Sequence, residues 1–270
     1  MKAAAPPTLA EVWDEMLRSA AAHRLDNKVL AAWHELVGKD PRVLQEVMGR
    51  YGTADEGGKQ MVLLMLSQEP SAQVRDFAVQ LADAADASVR RDGFALLSQQ
   101  AASGQTDEVR ARVRQALDTE QDPEVLRAAI DALQQPPINP TEAQATAQRL
   151  QALAQHADPN VRAESIGALA QWDKRGELME GSAYRALSDP QPEVRMAAFA
   201  AISDSAVRSD RLKGALLGML GDGATSDDDK ARALQALQGF ALSADEYAGY
   251  HLASVARDIE AQRDAAVSVN

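Results

Sequence analysis

The chain lacks cysteine and has few aromatic residues. None of its 270 residues is Cys, and Phe, Trp and Tyr together make up only 4%. The absence of Cys excludes disulfides, thiol chemistry and the usual ligands of structural zinc sites. An interior with so few aromatics must be built mainly from Ala, Leu, Val, Met and Ile, which fill thin seams between helices well. The composition therefore favours a layered helical protein.

The chain also lacks a surplus of basic residues and a long apolar run. It has 28 Lys and Arg against 40 Asp and Glu, and the resulting net charge of −12 is spread over both halves. Because nucleic-acid binding draws most of its affinity from Lys and Arg, we predict no nucleic-acid partner. A basic protein partner would instead be steered towards an acidic surface. No run approaches the roughly 18 apolar residues of a membrane span.

The N-terminal residues do not form an intact signal peptide. The stretch Met1-Lys2-Ala3-Ala4-Ala5-Pro6-Pro7 has no long apolar segment after its lysine. We therefore expect a cytoplasmic location, with a periplasmic one as the alternative if a native leader has been removed.

Motifs for catalysis or metal binding are missing from the sequence. The four histidines are His23, His34, His156 and His251, and no two lie three or four residues apart to form a metal-binding helix face. The sequence has no phosphate-binding loop and no nucleophile elbow. We predict no catalytic residue, no metal and no cofactor, and hence a protein that is not an enzyme.

An internal repeat is the main positive signal. Val89, Val125, Val161 and Val194 recur at intervals of about 35 residues, a spacing typical of helical repeats. Aspartate precedes each valine, at Asp86, Asp122, Asp158 and Asp189, and Pro follows the last three of these. Asp is a good N-cap, and Pro suits the first helical position because the N–H it lacks has no helical partner there. Each repeat therefore predicts a helix that begins at the aspartate.

Apolar residues follow each repeat valine at fixed offsets. Five residues on stand Phe94, Ile130, Ile166 and Phe199, and eight residues on stand Leu97, Leu133, Leu169 and Ile202. These offsets place one apolar stripe along a helix. With the helices that precede them, the stripes predict seven helix pairs and a last helix. The predicted pairs are 8–23 with 26–38, 41–51 with 57–68, 71–84 with 87–101, 107–118 with 122–135, 141–156 with 159–172, 176–188 with 191–204, and 209–221 with 227–240.

The pattern Asp-Pro-x-Val-Arg-x-x-Ala-x-x-Ala-Leu resembles HEAT repeats, in particular the bacterial HEAT-like type first associated with phycobilisome lyases. Its best copies run from Asp158 to Leu169 and from Asp189 to Ile202. The resemblance implies an all-α solenoid of about seven HEAT-like helix pairs plus a C-terminal capping helix, in one domain over residues 1–270. Within it, residues 8–68 are divergent N-terminal repeats and cap, residues 71–240 are clear repeats, and residues 244–263 are the capping helix.

Both end helices carry an apolar face that suits a cap. The first helix places Leu9, Val12, Trp13, Met16 and Leu17 on one side. The last helix places Ala248, Leu252, Val255 and Ile259 on one face. We expect both faces to pack on the adjoining repeats.

The resemblance implies fold more specifically than function, because related proteins include scaffolds, adaptors, lyases and hydroxylases. With no catalytic motif, we predict a protein-binding scaffold or adaptor that uses the concave face of the solenoid. One alternative is an acidic inhibitor or immunity-type protein that binds a basic partner. Another is a HEAT-like lyase or other small-molecule-handling enzyme.

The resemblance also implies where a partner binds and how the repeats are held together. In such solenoids the second helix of each pair lines the concave face. The predicted partner-binding residues there are Arg91, Asp92, Arg127, Asp131, Gln134, Glu164, Gln171, Met196 and Gln238. An arginine after the repeat valine commonly pairs with a carboxylate of the turn between helices. The predicted structural ladder comprises Asp86, Arg90, Asp122, Asp158, Arg162, Asp189 and Arg195.

Overall fold

The chain is all-helical, as predicted. A computed structural model describes residues 7–21, 26–100, 106–133, 139–173 and 175–268, which form fifteen α-helices and no strand. The first seven are α1 (Leu9–Ala21), α2 (Asn27–Lys39), α3 (Arg42–Tyr51), α4 (Glu56–Ser67), α5 (Ala72–Ala82), α6 (Ala87–Gln99) and α7 (Asp107–Thr119). The others are α8 (Pro123–Asp131), α9 (Pro140–Leu153), α10 (Pro159–Trp172), α11 (Glu177–Ala186), α12 (Pro192–Asp204), α13 (Asp210–Gly221), α14 (Asp227–Leu237) and α15 (Ala244–Ser268). Fifteen helices and no strand among the described residues confirm the predicted all-α solenoid class.

The helices gather into two compact units, residues 1–116 and 117–270, with the boundary inside α7. In unit one, α1 pairs with α2, α3 with α4, and α5 with α6, while α3 also contacts α5 and α4 contacts α6. In unit two, α9 pairs with α10, α11 with α12, and α13 with α14. A single domain over residues 1–270 stays a prediction.

Unit two contains two layers of stacked helices. The second helices of successive pairs, α8, α10, α12 and α14, contact one another in order and are called here the second-helix layer. The first helices α9, α11 and α13 do the same on the other side. This stacking buries the apolar stripe that no helix pair could bury alone, as expected for helical repeats.

Aspartate caps set where the second helices begin. Asp86, Asp122 and Asp158 each accept hydrogen bonds from two backbone N–H groups in the first turn of α6, α8 and α10. In α10, for example, the Asp158 carboxylate lies 2.9 Å from the amide nitrogen of Asn160 and 3.1 Å from that of Val161. Because the cap satisfies amides that lack helical partners, the predicted starts and the observed starts agree.

The predicted apolar stripes form the core of both units. Val125, Val161 and Val194 are fully buried, and so are all four residues five positions after the repeat valines. Eight positions on, Leu97, Leu169 and Ile202 are buried as well, while Val89 and Leu133 are half-buried. The offsets read from the sequence therefore correspond to the face that each second helix turns inward.

An extra residue at the start of α12 changes the role of Asp189. The helix begins at Pro192, so Gln191 occupies the N-cap position and makes no side-chain cap bond. Asp189 instead faces Arg162 of the preceding second helix. The Arg162 Nε and Nη2 atoms donate to the two carboxylate oxygens of Asp189 at 2.9 and 2.8 Å, a bidentate pair. The third nitrogen, Nη1, donates to the backbone carbonyls of His156 and Ala157.

The next repeat repeats this arrangement with a different aspartate. Arg195 Nε donates to Asp229 of α14 at 2.9 Å, and its Nη1 donates to the carbonyls of Asp189 and Pro190. Arg90 likewise donates to the carbonyls of Ala84 and Ala85. The ladder partners in unit two are thus Asp189 and Asp229. Asp229 was not predicted, because it lies inside the first turn of α14 rather than before it.

The two end helices differ in how well the prediction describes them. In α1, Leu9, Val12 and Met16 are buried as expected, whereas Leu17 is exposed. In α15 the predicted packing face is wrong. Leu252 is 72% exposed, and Val255 and Ile259 are also exposed.

A different face of α15 packs against α13 and α14. Tyr250, Ala253 and Ser254 are half-buried, and Glu246 accepts a hydrogen bond from Lys213 of α13. An ion pair and small side chains therefore fix this helix. The apolar spacing of Leu252, Val255 and Ile259 misled the prediction because a periodic stripe does not say which surface covers it.

Substitution of Gly93 tests the close approach of α5 and α6. A Cβ atom at Gly93 would lie 2.3 Å from the backbone nitrogen of Ala82, so the helices would have to separate. We expect Gly93→Ala to lower the free energy of unfolding by about 1–3 kcal/mol, measured by urea denaturation. The matched control is Gly49→Ala in α3, where a Cβ meets no atom within 4 Å and the change should stabilise by about 0.5–1 kcal/mol. Equal effects at both positions would contradict the tight packing.

The Arg162–Asp189 pair gives a second test of the fold. Partial burial alone would raise the pKa of Asp189, but hydrogen bonds from Arg162 and the Gln191 N–H hold that pKa below its usual value. The pair therefore stabilises above the unfolded pKa of 3.8, and this stability is lost as pH falls through the lower folded pKa. A double-mutant cycle with Arg162→Met and Asp189→Asn should give a coupling energy of about 1–3 kcal/mol at pH 7. A coupling near zero at pH 7 would show that the pair does not hold the repeats together.

Candidate functional site

A groove crosses the second-helix layer of unit two. It has a volume of about 490 Å³ and lies on α8, α10 and α12. Its lining residues are Ile130, Asp131, Leu133, Glu164, Gly167, Ala168, Ala170, Gln171, Trp172, Ala200, Ala201 and Asp204. Most of them lie in the C-terminal halves of the three helices, so this surface is called here the C-end groove.

Small residues at matching repeat positions form the floor of the C-end groove. Gly167 and Ala200 each lie six residues after their repeat valine, and Ala168 and Ala201 follow them. A Cβ built at Gly167 would meet no atom within 4 Å, so the space above it is open. Short side chains in neighbouring helices at the same register leave a trough, because no long side chain reaches across it.

Three carboxylates stand along this trough. Asp131 and Asp204 are the last residues of α8 and α12, and both are exposed. Glu164 lies on α10, where Arg127 Nη2 approaches its carboxylate to 3.8 Å. Arg127 is shared, because its Nη1 also donates to Glu124 at 3.2 Å. The lining residues thus include three acids and no base.

The two neighbouring carboxylates hold their protons more tightly than usual. Burial raises the pKa of Glu164, and the charge of Asp131 raises it further, while Arg127 partly opposes both. On its groove side Asp131 loses hydration, which raises its pKa, and Arg127 again opposes the shift. Both groups therefore carry negative charge that the folded chain compensates incompletely.

The predicted partner-binding residues fall in several places. Asp131, Glu164 and Gln171 line the C-end groove, and Arg127 borders it through its contact with Glu164. Met196 and Gln238 are exposed on α12 and at the end of α14, outside the lining. Arg91 and Asp92 belong to unit one, and Gln134 lies outside the described residues.

Asp92 requires a correction, because it is buried rather than presented to a partner. Its side chain accepts a hydrogen bond of 2.7 Å from the Tyr51 hydroxyl and one of 2.9 Å from Arg91, and the residue is only 4% exposed. Burial, followed by the bond to Asp92, raises the pKa of Tyr51. Asp92 therefore belongs to a polar contact between α3 and α6, inside unit one.

Sequence reasoning missed Asp204 and the small floor residues. Asp204 lies ten residues after Val194, the same offset that places Gln171 after Val161. Gly167 and Ala200 share the offset of Asp131 after its own valine. The repeat register therefore contained the signal. Large polar residues in this register indicate contacts directly. Small residues such as Gly167 and Ala200 contribute only by leaving space, which a sequence pattern does not indicate.

In the described part of the chain, no three His, Asp or Glu side chains converge in a way that could hold a metal ion. Within the same residues, no helix combines the length and the apolar character needed to cross a membrane.

Substitution of Glu164 tests whether this carboxylate stabilises the fold, as Asp189 does. Because its folded pKa is raised, ionised Glu164 costs stability, and this cost disappears as pH falls below the raised pKa. Glu164 is 39% exposed, so solvent reduces the effect to a few tenths of a kcal/mol. We expect Glu164→Gln to keep or slightly raise the free energy of unfolding at pH 7 in urea denaturation, whereas Asp189→Asn lowers it. A loss of more than about 1 kcal/mol for Glu164→Gln would assign Glu164 to the fold instead.

Comparison with known families agrees with the helix stacking in unit two. Residues 146–238 match the family model described as HEAT repeats. The matched range begins within α9 and ends directly after α14, so it includes most of the second-helix layer. No curated protein sequence matches the chain significantly. On the repeat spacing, the stacked helix pairs and this match, residues 146–238 of the chain belong to the HEAT-repeat family.

Proposed function

We propose that the chain is a non-catalytic protein-binding scaffold that holds a segment of a partner protein in the C-end groove. The observation that carries this proposal is an open groove in which two of the three carboxylates make no contact that the fold uses. Within the described residues, the side chains of Asp131 and Asp204 make no hydrogen bond, whereas Asp158 and Asp189 are fully engaged in caps and pairs.

The shape of the groove supports a chain segment as its occupant. Stacked repeats present equivalent positions on parallel rows, and such surfaces commonly hold extended peptides. The floor of Gly167, Ala168, Ala200 and Ala201 allows a backbone to approach closely. Gln171 can donate and accept hydrogen bonds at the side of the trough, which suits the peptide groups of an extended segment.

Site-specific crosslinking tests this proposal. A photoreactive benzoylphenylalanine is placed at Ala200 in the floor, and as a control at Tyr184 on α11, which is also exposed but lies in the first-helix layer. In an extract of the source cells, we expect a discrete crosslinked partner from position 200 and none from position 184.

A blocking variant makes the crosslinking specific to the groove. Gly167→Leu fills the trough, and its Cβ meets no neighbouring atom, so the fold should tolerate the change. Circular dichroism and thermal melting should confirm unchanged folding. We expect Gly167→Leu to abolish the crosslink at position 200. A crosslink that survives in this variant, or that forms equally from position 184, would refute the C-end groove as the binding surface.

A further inference from the structure

We propose that the partner segment is basic and places a lysine or arginine side chain in the C-end groove, with its charged group among Asp131, Glu164 and Asp204. This inference rests on the proposed function and specifies its partner. Three independent features of the groove support it: its charge, the ends of its helices and the shape of its floor.

The charge of the groove is the first feature. Among the described residues, its lining contains three carboxylates and no Lys or Arg. Arg127 divides its guanidinium between Glu124 and Glu164, and its charge also acts on Asp131. Within the described residues, neither Asp131 nor Asp204 forms an ion pair. A partner of complementary charge would neutralise what the folded chain leaves uncompensated.

The helix ends are the second feature. The lining includes the last residue of each of the helices α8, α10 and α12, which are Asp131, Trp172 and Asp204. The C-terminal end of a helix carries the negative end of its dipole and carbonyl groups without helical partners. At α12, Arg208 already donates to the carbonyls of Ile202 and Ser203. The ends of α8 and α10 are therefore the two that favour a further cation beside the groove.

The floor of the groove is the third feature. Lysine and arginine have long methylene stems that lie along apolar surface while the charged head stays in polar surroundings. Ala168, Ala200 and Ala201 offer methyl groups along the trough, and the carboxylates stand at its sides and ends. A small inorganic cation would not use this apolar floor, whereas a basic side chain uses both parts.

The protonation behaviour of the groove agrees with this assignment. Burial and the charge of Asp131 raise the pKa of Glu164, and partial loss of hydration raises the pKa of Asp131. A cation bound between them would relieve the repulsion and favour the ionised forms. The affinity for a basic segment should therefore fall as pH is lowered through the raised range.

Fluorescence anisotropy with peptide probes tests the inference directly. The probe is a fluorescein-labelled nine-residue peptide of alternating Ala and Lys, and its control is the same peptide with acetyl-lysine, which keeps the stem and removes the charge. At about 20 mM salt, where electrostatic attraction is weakly screened, we expect the Lys probe to bind. The acetyl-lysine probe should bind at least about tenfold more weakly.

Paired variants separate the groove from the general acidity of the chain. Glu164→Gln with Asp204→Asn removes two charges from the groove, and we expect about a tenfold loss of affinity for the Lys probe. Asp228→Asn with Asp245→Asn removes the same charge from exposed positions outside the lining and should change affinity by less than about twofold. Equal binding of both probes, or equal losses in both pairs of variants, would overturn the inference.

The crosslinking and peptide-binding experiments together distinguish failure of this inference from failure of the proposed function. If a partner crosslinks at position 200 and Gly167→Leu blocks it, but the Lys probe does not bind, the groove binds protein and its preference for a basic segment is refuted. If neither the crosslink nor probe binding occurs, both proposals fail.

Discussion

The stacking of α10, α12 and α14 in unit two depends on arginine side chains that join one second helix to the start of the next. Arg162 binds Asp189 with two nitrogens, and its third nitrogen satisfies carbonyls of the turn that precedes its own helix. Arg195 repeats the pattern with Asp229. Because each guanidinium contacts two turns at once, it fixes the spacing between the starts of successive helices. Packing of apolar stripes alone would tolerate small sliding movements that these directional bonds resist.

Alignment of the helix starts also determines where the C-terminal ends of the second helices lie. Helices α10 and α12 begin in register and have 14 and 13 residues, so their ends also lie in register. Together with the end of the shorter α8, these ends border the C-end groove. Acidic residues make different contacts at the starts and at the ends of these helices. At the starts, Asp158 and Asp189 are bonded to amides and arginine. At the ends, Asp131 and Asp204 face solvent. The acids at the starts stabilise the fold, and those at the ends make no hydrogen bond within the described residues.

Much of the fold followed from local chemistry that the sequence displays. The Asp caps, the prolines after them and the apolar offsets from the repeat valines all predicted helix starts and buried faces that the structure contains. The errors arose where a tertiary partner decides the outcome. Of the aspartates predicted in the ladder, Asp189 pairs with Arg162, whereas Asp122 and Asp158 cap their own helices. Asp92 had the register of an exposed residue, but Tyr51 from a distant helix buried it. The stripe of Leu252, Val255 and Ile259 predicted a packed face, but α15 is held through Glu246 and small residues.

The candidate site was predictable in part for the same reason. Asp131, Glu164 and Gln171 could be placed on one surface from the repeat register. The groove itself depends on what is absent at Gly167 and Ala200, and on three helix ends that only the stacking brings together. A groove formed by small residues and neighbouring helix ends is harder to predict from sequence than a site formed by reactive side chains.

Carboxyl footprinting in an extract of the source cells tests the central claim most directly. Carbodiimide coupling of glycine ethyl ester labels accessible Asp and Glu side chains, and mass spectrometry measures each position with and without the extract. The account predicts that the extract protects Asp131, Glu164 and Asp204, while the exposed Asp228 and Asp245 remain labelled as before. Protection confined to other surfaces, with unchanged labelling in the C-end groove, would contradict it.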